Sequence, residues 1–306
     1  MSIATLTRAQ RLEADAARLP QSALFGKPDG RAVAVLGGIS AGRHVCSTND
    51  SEGWWNDIAG DGRALDTRTL RILGMDWVGS DLAEGGSAQD VTTYDQARAL
   101  ADTLDQRGVT RLHALVGASY GGMVSLAFAE LFPERVSRLV ILGAAHEPHP
   151  MAAAVRIVQR RIIALAREAG RSADGVALAR ALAMTTYRTH EEFAARFGDP
   201  SEVEQWLDHH GDRFAASWTA ARFETLSRSI DTHRVDPARI RTPVTLVSFT
   251  GDAIAPPAQM RTLASGLAGP VTLLEIETPY GHDAFLKETG VVARILRQSL
   301  ELETLI

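Results

Sequence analysis

The sequence predicts an α/β protein: a mostly parallel central sheet flanked by helices and interrupted by a purely helical insertion. Three observations predict it. Short apolar, often β-branched runs alternate with longer helix-compatible stretches through most of the chain, as parallel strands joined by crossover helices require. Between about residues 149 and 236 that rhythm stops, and successive helical stretches follow with no convincing strand among them. Directly after the apolar run Leu112-His113-Ala114-Leu115-Val116 comes Gly117-Ala118-Ser119-Tyr120-Gly121. A G-x-S-x-G at a strand end is a sharp strand-to-helix turn that holds a serine at its tip, with glycines keeping Cβ atoms out of the crowded turn.

In chain order, the strands are expected at Arg31–Leu36, Leu70–Met75, 112–116, 138–142, Val244–Phe249 and Val271–Ile276. Helical periodicity covers 94–106 and 122–131, the second ending at Phe132-Pro133-Glu134 because proline cannot continue a helix. The insertion reads as helices over 152–169, 175–186, 190–197, 203–210 and 213–227. A helical block placed between strands of such a sheet is a lid over the strand ends, where ligands of open α/β sheets bind. The expected division is a first core part, 1–148, a lid, 149–236, and a second core part, 237–306.

A chain of 306 residues with 45% hydrophobic content can bury one substantial core. Its formal net charge of −5, with both signs interspersed, lacks the basic excess of a general nucleic-acid binder, so no nucleic-acid partner is expected. Cys46 is the single cysteine, which excludes an intramolecular disulfide and a cysteine metal cluster; it reads as a small buried hydrophobe. Residues 1–20 carry charges throughout without the apolar centre of a signal peptide, and no later stretch has the character of a membrane span. A soluble cytoplasmic protein with no membrane partner is expected.

A serine hydroxyl is a poor nucleophile unless a base takes its proton. With Ser119 at a strand-end turn, the partners are expected downstream in the order acid, then histidine. Thr250-Gly251-Asp252 follows the strand Val244–Phe249, which makes Asp252 the acid; the alternative is an ordinary Asx turn. Tyr280-Gly281-His282-Asp283 follows the last strand, and His282 is the base. His113 lies within an expected strand, and His190, His209, His210 and His233 lie in the helical block. His44, His146 and His149 sit on loops near strand ends as candidate pocket residues. No histidine pair has a zinc spacing with an accompanying acid, so no metal is expected. An oxyanion hole needs two backbone N–H groups; Tyr120, after the nucleophile, and Ile39, within Gly37-Gly38-Ile39-Ser40, are the candidates.

The words around these residues resemble the homoserine O-acyltransferases of the α/β-hydrolase fold, the homoserine acetyltransferase or MetX family. Gly53-Trp54-Trp55, with Ile58-Ala59-Gly60-Asp61-Gly62 and Ala64-Leu65-Asp66-Thr67, is similar to the family's G-W-W-x-x-x-x-G-x-G-x-x-x-D-T block. Ser119-Tyr120-Gly121-Gly122-Met123 is similar to its S-M-G-G-M turn, and Ala183-Met184-Thr185-Thr186-Tyr187-Arg188 to its A-M-x-T-Y-R helix. Val203-Glu204 through His210-Gly211-Asp212-Arg213-Phe214 and Tyr280 through Leu286 match two further signatures, so the likeness spans about residues 32–286.

The resemblance implies transfer of an acetyl or succinyl group from acyl-CoA, a co-substrate rather than a bound cofactor, to L-homoserine through an acyl-serine, in methionine biosynthesis. It implies that Arg188 and Asp283 hold the amino-acid substrate, and that a homodimer forms through the lid. The alternatives are serine as the acceptor, or an esterase or thioesterase using the same triad; a binding-only protein would have no use for the complete Ser, Asp, His order. Tyr120 stands where the family has methionine, and Ser40-Ala41-Gly42-Arg43 where it has L-T-G. These departures leave the acyl donor open. Arg43 is a candidate partner for the distal carboxylate of a succinyl group, or else a solvated loop side chain. Arg156, Arg160, Arg161 and Arg167 share one lid helix and are candidate contacts for the CoA phosphates, or else a solvated helix face.

Overall fold

The computed structural model describes residues 19–301. Residues 1–18, from which the expectation about the N-terminal segment was drawn, and residues 302–306, the end of the second core part, lie outside that range.

The strands are β1 (Ser22–Gly26), β2 (Arg31–Leu36), β3 (Ala59–Gly60), β4 (Leu65–Asp66), β5 (Leu70–Met75), β6 (Ala114–Ala118), β7 (Leu139–Leu142), β8 (Val244–Phe249) and β9 (Val271–Ile276). The helices are α1 (Thr93–Gln106), α2 (Tyr120–Leu131), α3 (Pro150–Glu168), α4 (Ser172–Tyr187), α5 (His190–Arg196), α6 (Pro200–Ala215), α7 (Ala220–Asp231), α8 (Pro257–Gly266), α9 (Ala284–Lys287) and α10 (Thr289–Glu301). A seven-stranded sheet runs in the order β1-β5-β2-β6-β7-β8-β9. Only β1 is antiparallel to its neighbour, β5. The small β3–β4 pair stands apart.

Apolar burial on both faces fixes the register of the central strands. Along β6, Leu115 packs into one cluster with Leu100, Leu104, Val124 and Phe128 of α1 and α2. Its neighbours Ala114, Val116 and Ala118 point to the other face, against Val33, Val140, Leu142 and Leu296. β2 and β7 flank β6, pairing Val116 with Val35 and Val140, so the turn at the end of β6 opens between two parallel strand ends.

Strands β2, β5, β8 and β9 have the bounds expected from the sequence. The strand expected at 112–116 begins two residues later, because Leu112 makes only an isolated bridge to Val136, and His113 therefore precedes the strand. The strand expected at 138–142 begins at Leu139. The helix expected over 213–227 is two helices. α6 ends at Ala215, and Thr219 caps α7 by accepting from the Arg222 N–H, while Trp218 between them stacks on Phe214 at 4.4 Å. β1, β3, β4, α8, α9 and α10 were not expected. β1 is short and half-buried, with its pattern fixed by antiparallel pairing to β5. Five helices, α3 to α7, lie between β7 and β8. No helix among the described residues is long and apolar enough to cross a membrane.

One of the tightest approaches among the described residues is at the start of α2. A Cβ on Gly121 would lie 2.2 Å from the Leu36 carbonyl oxygen and 2.4 Å from its carbon, both rigid backbone atoms of β2. Gly121→Ala is expected to lower unfolding free energy by about 1–3 kcal/mol or more, because overpacking here can be relieved only by moving a helix off a strand. Urea denaturation followed by circular dichroism measures this, and an unchanged midpoint would show that the α2–β2 contact yields freely.

Candidate active site

Ser119 has φ 53° and ψ −121°, the sole described non-glycine residue with positive φ. For a side chain with a Cβ that conformation costs energy and persists only where the surroundings impose it. Here the Ser119 N–H donates to the Leu142 carbonyl of β7 at 2.9 Å, and the Gly121 N–H to the Gly37 carbonyl beyond β2 at 2.8 Å. The turn is thus pinned on both sides, and Oγ projects from the sheet edge toward the helical block.

Two loops converge on that hydroxyl. His282 Nε2 lies 2.8 Å from Ser119 Oγ, and His282 Nδ1 lies 2.8 Å from Asp252 Oδ2. The second oxygen of Asp252, Oδ1, accepts from the Ile254 and Ala255 N–H groups at 2.7 and 2.9 Å. The turn that the sequence offered as the bland alternative for Asp252 is therefore real, and it orients the carboxylate for its other oxygen to meet histidine. Asp252 and His282 are 3% and 4% exposed. Burial pushes the imidazole toward its neutral form, but the Asp252 charge and hydrogen bond outweigh it, and the net shift is upward from 6.5. With Nδ1–H donated to Asp252, Nε2 is free to take the serine proton.

Ser119, His282, Ile39 and Tyr120 line one cavity between the strand ends and the lid helices. Tyr120 is the first residue of α2, so its N–H has no acceptor within the helix. Its side chain is fully buried, with its ring edge-on to Trp77 at 4.8 Å and its hydroxyl 2.6 Å from Ser229 Oγ on α7, so it stitches the turn to the lid. The G-W-W block serves the same cavity. Trp54 forms part of its wall, and Trp55 Nε1 donates to the Phe285 carbonyl at 3.2 Å, holding the segment after His282.

Several expected residues sit elsewhere. Asp283 is at the wall, but Arg188 is not. Arg188 caps the C-terminus of α4 in extended conformation, and its guanidinium donates to Asp283 Oδ2 at 3.1 Å and Glu192 Oε1 at 2.6 Å, with its side chain 7% exposed. It braces Asp283 from behind. The arginine of α4 at the wall is Arg180, two turns earlier, on the face that also presents Ala183 and Tyr187. Its guanidinium lies over the Phe214 and Tyr187 rings at 5.0 and 5.5 Å, and among the described residues no carboxylate pairs with it. The sequence signal for Arg180 was the helical spacing from Tyr187, which points both residues the same way.

Arg43 is also away from this cavity: its main-chain N–H and its guanidinium are both bound to Asp76, beside a separate cleft. The arginines of α3 do not share one face. Arg156 and Arg160 turn inward to Asp231 at 2.6 and 2.7 Å, Arg161 is exposed, and Arg167 pairs with Glu224 at 3.1 Å. Of these, only Arg156 reaches the cavity wall. His44, His146 and His149 do not line it; His149 accepts from the Met151 N–H at the start of α3. His233 is buried between Thr93 and the Ala145 carbonyl, where burial holds its pKa at about 3 and therefore keeps it neutral. Burial raises the Cys46 thiol to about 11, in keeping with an unreactive core side chain.

A serine lifted from a strand end, with a downstream acid and histidine, defines the α/β-hydrolase class, and residues 35–289 match the alpha/beta hydrolase fold family. The chain is 40% identical to a homoserine O-succinyltransferase of Xanthomonas campestris pv. campestris, over 90% of this chain and 77% of that protein. It is 33% identical to a homoserine O-acetyltransferase of Thermus thermophilus, over 87% of this chain and 80% of that protein. A homoserine O-acetyltransferase structure from Bacillus anthracis superposes with a TM-score of 0.82, covering 92% of this chain and 91% of that one at 16% identity, a likeness of fold alone. The chain belongs to the homoserine O-acyltransferases of the α/β-hydrolase family.

Because the His282 base works only when neutral, kcat/KM is expected to fall as pH drops through a value above 6.5. Asp252→Asn removes the charge and the hydrogen bond that do most to raise the imidazole and leaves the weaker pull of Asp283 against burial, so the acid limb moves to lower pH. The same change lowers kcat by roughly 10⁴-fold through loss of the correct tautomer. A pH–rate profile of both proteins checks this; an acid limb that stays in place would remove Asp252 from its role.

Proposed function

We propose that this enzyme moves an acyl group from acyl-CoA to the γ-hydroxyl of L-homoserine through an acyl-Ser119 intermediate. The observation that carries the reading is a complete triad in a lidded cavity whose wall offers both an unpaired guanidinium, Arg180, and a carboxylate, Asp283. A zwitterionic amino acid needs that pair. Arg180 takes the α-carboxylate, and Asp283, oriented by Arg188, takes the α-ammonium, which leaves the side-chain hydroxyl to reach the acyl carbon.

In the first half-reaction His282 Nε2 takes the Ser119 proton as Oγ attacks the thioester carbon. The Ile39 and Tyr120 N–H groups receive the oxyanion, and the CoA thiolate leaves with the proton from His282. In the second, His282 removes the homoserine hydroxyl proton, the new ester forms, and Ser119 regains its proton. The lid disfavours water as the competing nucleophile. The product, an O-acylhomoserine, is an intermediate of methionine biosynthesis, and the enzyme acts in the cytoplasm with its acyl-CoA. The exposed apolar side chains Met151, Ile157, Val158 and Leu165 of α3, with Leu178 of α4, are where a second copy packs to form the homodimer.

Arg180→Met and Asp283→Asn are expected to lower kcat/KM for homoserine by about 30- to 1,000-fold, the cost of losing one partner of a desolvated charge pair. The burst of CoA release without acceptor is expected to fall far less. Stopped-flow thiol detection with and without homoserine separates the two. An equal loss in burst and transfer would overturn the acceptor site, and acyl-CoA hydrolysis at the same rate without homoserine would indicate a thioesterase.

A further inference from the structure

An oxyanion hole works only if its two N–H groups are already aimed when charge develops. The Ile39 N–H belongs to the same planar, trans peptide as the Gly38 carbonyl, so the two point in opposite directions and whatever fixes the carbonyl aims the N–H. That peptide stands beside the nucleophile: Gly38, Ile39 and Ser119 line one cavity, and a Cβ on Gly38 would lie 4.0 Å from the Ser119 Cβ. Two consecutive glycines, Gly37 and Gly38, make the loop soft, because glycine accepts backbone rotations that other residues resist. A peptide flip here would present a carbonyl oxygen to the developing alkoxide in place of a donor.

One tryptophan opposes that flip. The Gly38 carbonyl accepts from the Ala41 N–H at 2.9 Å, within its own loop, and from the Trp77 Nε1–H at 3.2 Å, from beyond the end of β5. Trp77 is 2% exposed, and its ring lies edge-on to Tyr120, the residue that carries the second oxyanion donor. Its own backbone is anchored on both sides. Val78 has its N–H and its carbonyl bound by the Gln96 side chain of α1, at 2.9 and 3.0 Å, and Gln96 is wholly buried. Asp76 takes the Arg43 main-chain N–H at 2.7 Å and the Arg43 guanidinium. The loop from Gly38 to Arg43 is therefore gripped at both ends by the adjacent residues Asp76 and Trp77, and Arg43 is a strut of that loop.

Resting on the acyl-transfer reading above, we propose that Trp77 is a positioning residue of the oxyanion hole. Its indole N–H locks the Gly38–Ile39 peptide with the Ile39 N–H toward the alkoxide, and its ring holds Tyr120, the bearer of the other donor. Hydrogen bonding at the carbonyl also polarises the peptide, which strengthens its N–H as a donor. The side-chain hydrogen bonds of Asp252 and His282 run to each other, to Ser119 and to the 254–255 backbone, not to Trp77. Trp77 thus acts on the charge of the transition state and leaves the base as it is.

The test replaces Trp77 with 3-benzothienylalanine, which keeps the bicyclic ring but carries sulfur where the indole has its N–H. Trp77→Phe is compared with it, and Leu104→Ala, which opens a hole in the same core cluster from α1, is the control for packing alone. Acylation of Ser119 without acceptor is followed by intact-protein mass and leaving-group release, with acyl-CoA and with p-nitrophenyl acetate. The benzothienyl enzyme is expected to be acylated about 10- to 100-fold more slowly by both, less than the loss on removing a donor outright. Its affinity for a boronic acid, which forms a tetrahedral adduct on Ser119, is expected to weaken in the same proportion, with the acid limb of the pH profile unmoved. Trp77→Phe is expected to lose at least as much, and Leu104→Ala to acylate near the wild-type rate below its lowered melting temperature. Wild-type acylation and boronate affinity in the benzothienyl enzyme, a loss matched by Leu104→Ala, or an acid limb that moves would each overturn the assignment. The two proposals fail separately. A wild type acylated by the ester but not by acyl-CoA, or one whose acyl group homoserine does not take, would sink the acyl-transfer reading and leave Trp77 to be judged on the ester. Transfer to homoserine as fast in the benzothienyl enzyme as in wild type would sink the Trp77 assignment alone.

Discussion

The site depends on one backbone conformation, the positive φ of Ser119. A residue with a Cβ held there stores on the order of 1–3 kcal/mol of strain, and the fold supplies the restraint from three strands at once. β6 brings the chain in, the end of β7 accepts the serine N–H, and the end of β2 accepts the N–H of Gly121. Gly117, Gly121 and Gly122 complete the restraint by absence: a Cβ on any of them would fall within 2.5 Å of neighbouring atoms. Because the same turn starts α2, the Tyr120 N–H is left without a helical acceptor beside the nucleophile. Strain, the projecting Ser119 hydroxyl and the free Tyr120 N–H thus follow from a single local geometry.

Around that turn the charges are arranged by sharing. Asp252 divides its two oxygens between backbone amides and His282, so the acid is fixed before it orients the base. Arg188 divides its guanidinium between Glu192 and Asp283, fixing the carboxylate that faces the cavity from outside the cavity. Asp231, at the end of α7, is shared by two arginines of α3 and so ties two lid helices together. Buried pairs of this kind add little net stability, because desolvation offsets their attraction. Their value is in holding side chains in one place and, where one partner is in excess, in leaving a charge for a ligand to meet.

The core of the fold was legible because each central strand is buried on both faces and reads as an unbroken apolar run between turn residues, as in Val244–Phe249 and Leu70–Met75. Elements whose position is set by partners were harder to read. β1 is defined by its pairing with β5, and the break between α6 and α7 by a tryptophan that leaves the helix to stack on Phe214. Neither leaves a periodic trace in the chain.

The juxtaposition of Ser119, His282 and Asp252 was likewise legible: Asp252 and His282 follow strands whose ends parallel pairing brings together, so chain order alone nearly specifies which three side chains meet. The glycine spacing likewise determined the elbow, since only those residues tolerate so close an approach of helix and strand. The direction of long charged side chains was decided by tertiary structure. Arg180 lies in α4 and Arg188 caps its end, Arg43 follows β2 and Arg156 lies within α3, yet only Arg180 and Arg156 reach the cavity. An arginine can swing its charge several ångströms to either side of its backbone, and it goes where an acid awaits it. Asp76 claims Arg43, Glu192 and Asp283 claim Arg188, and those acids are distant in sequence or reached only through helix packing.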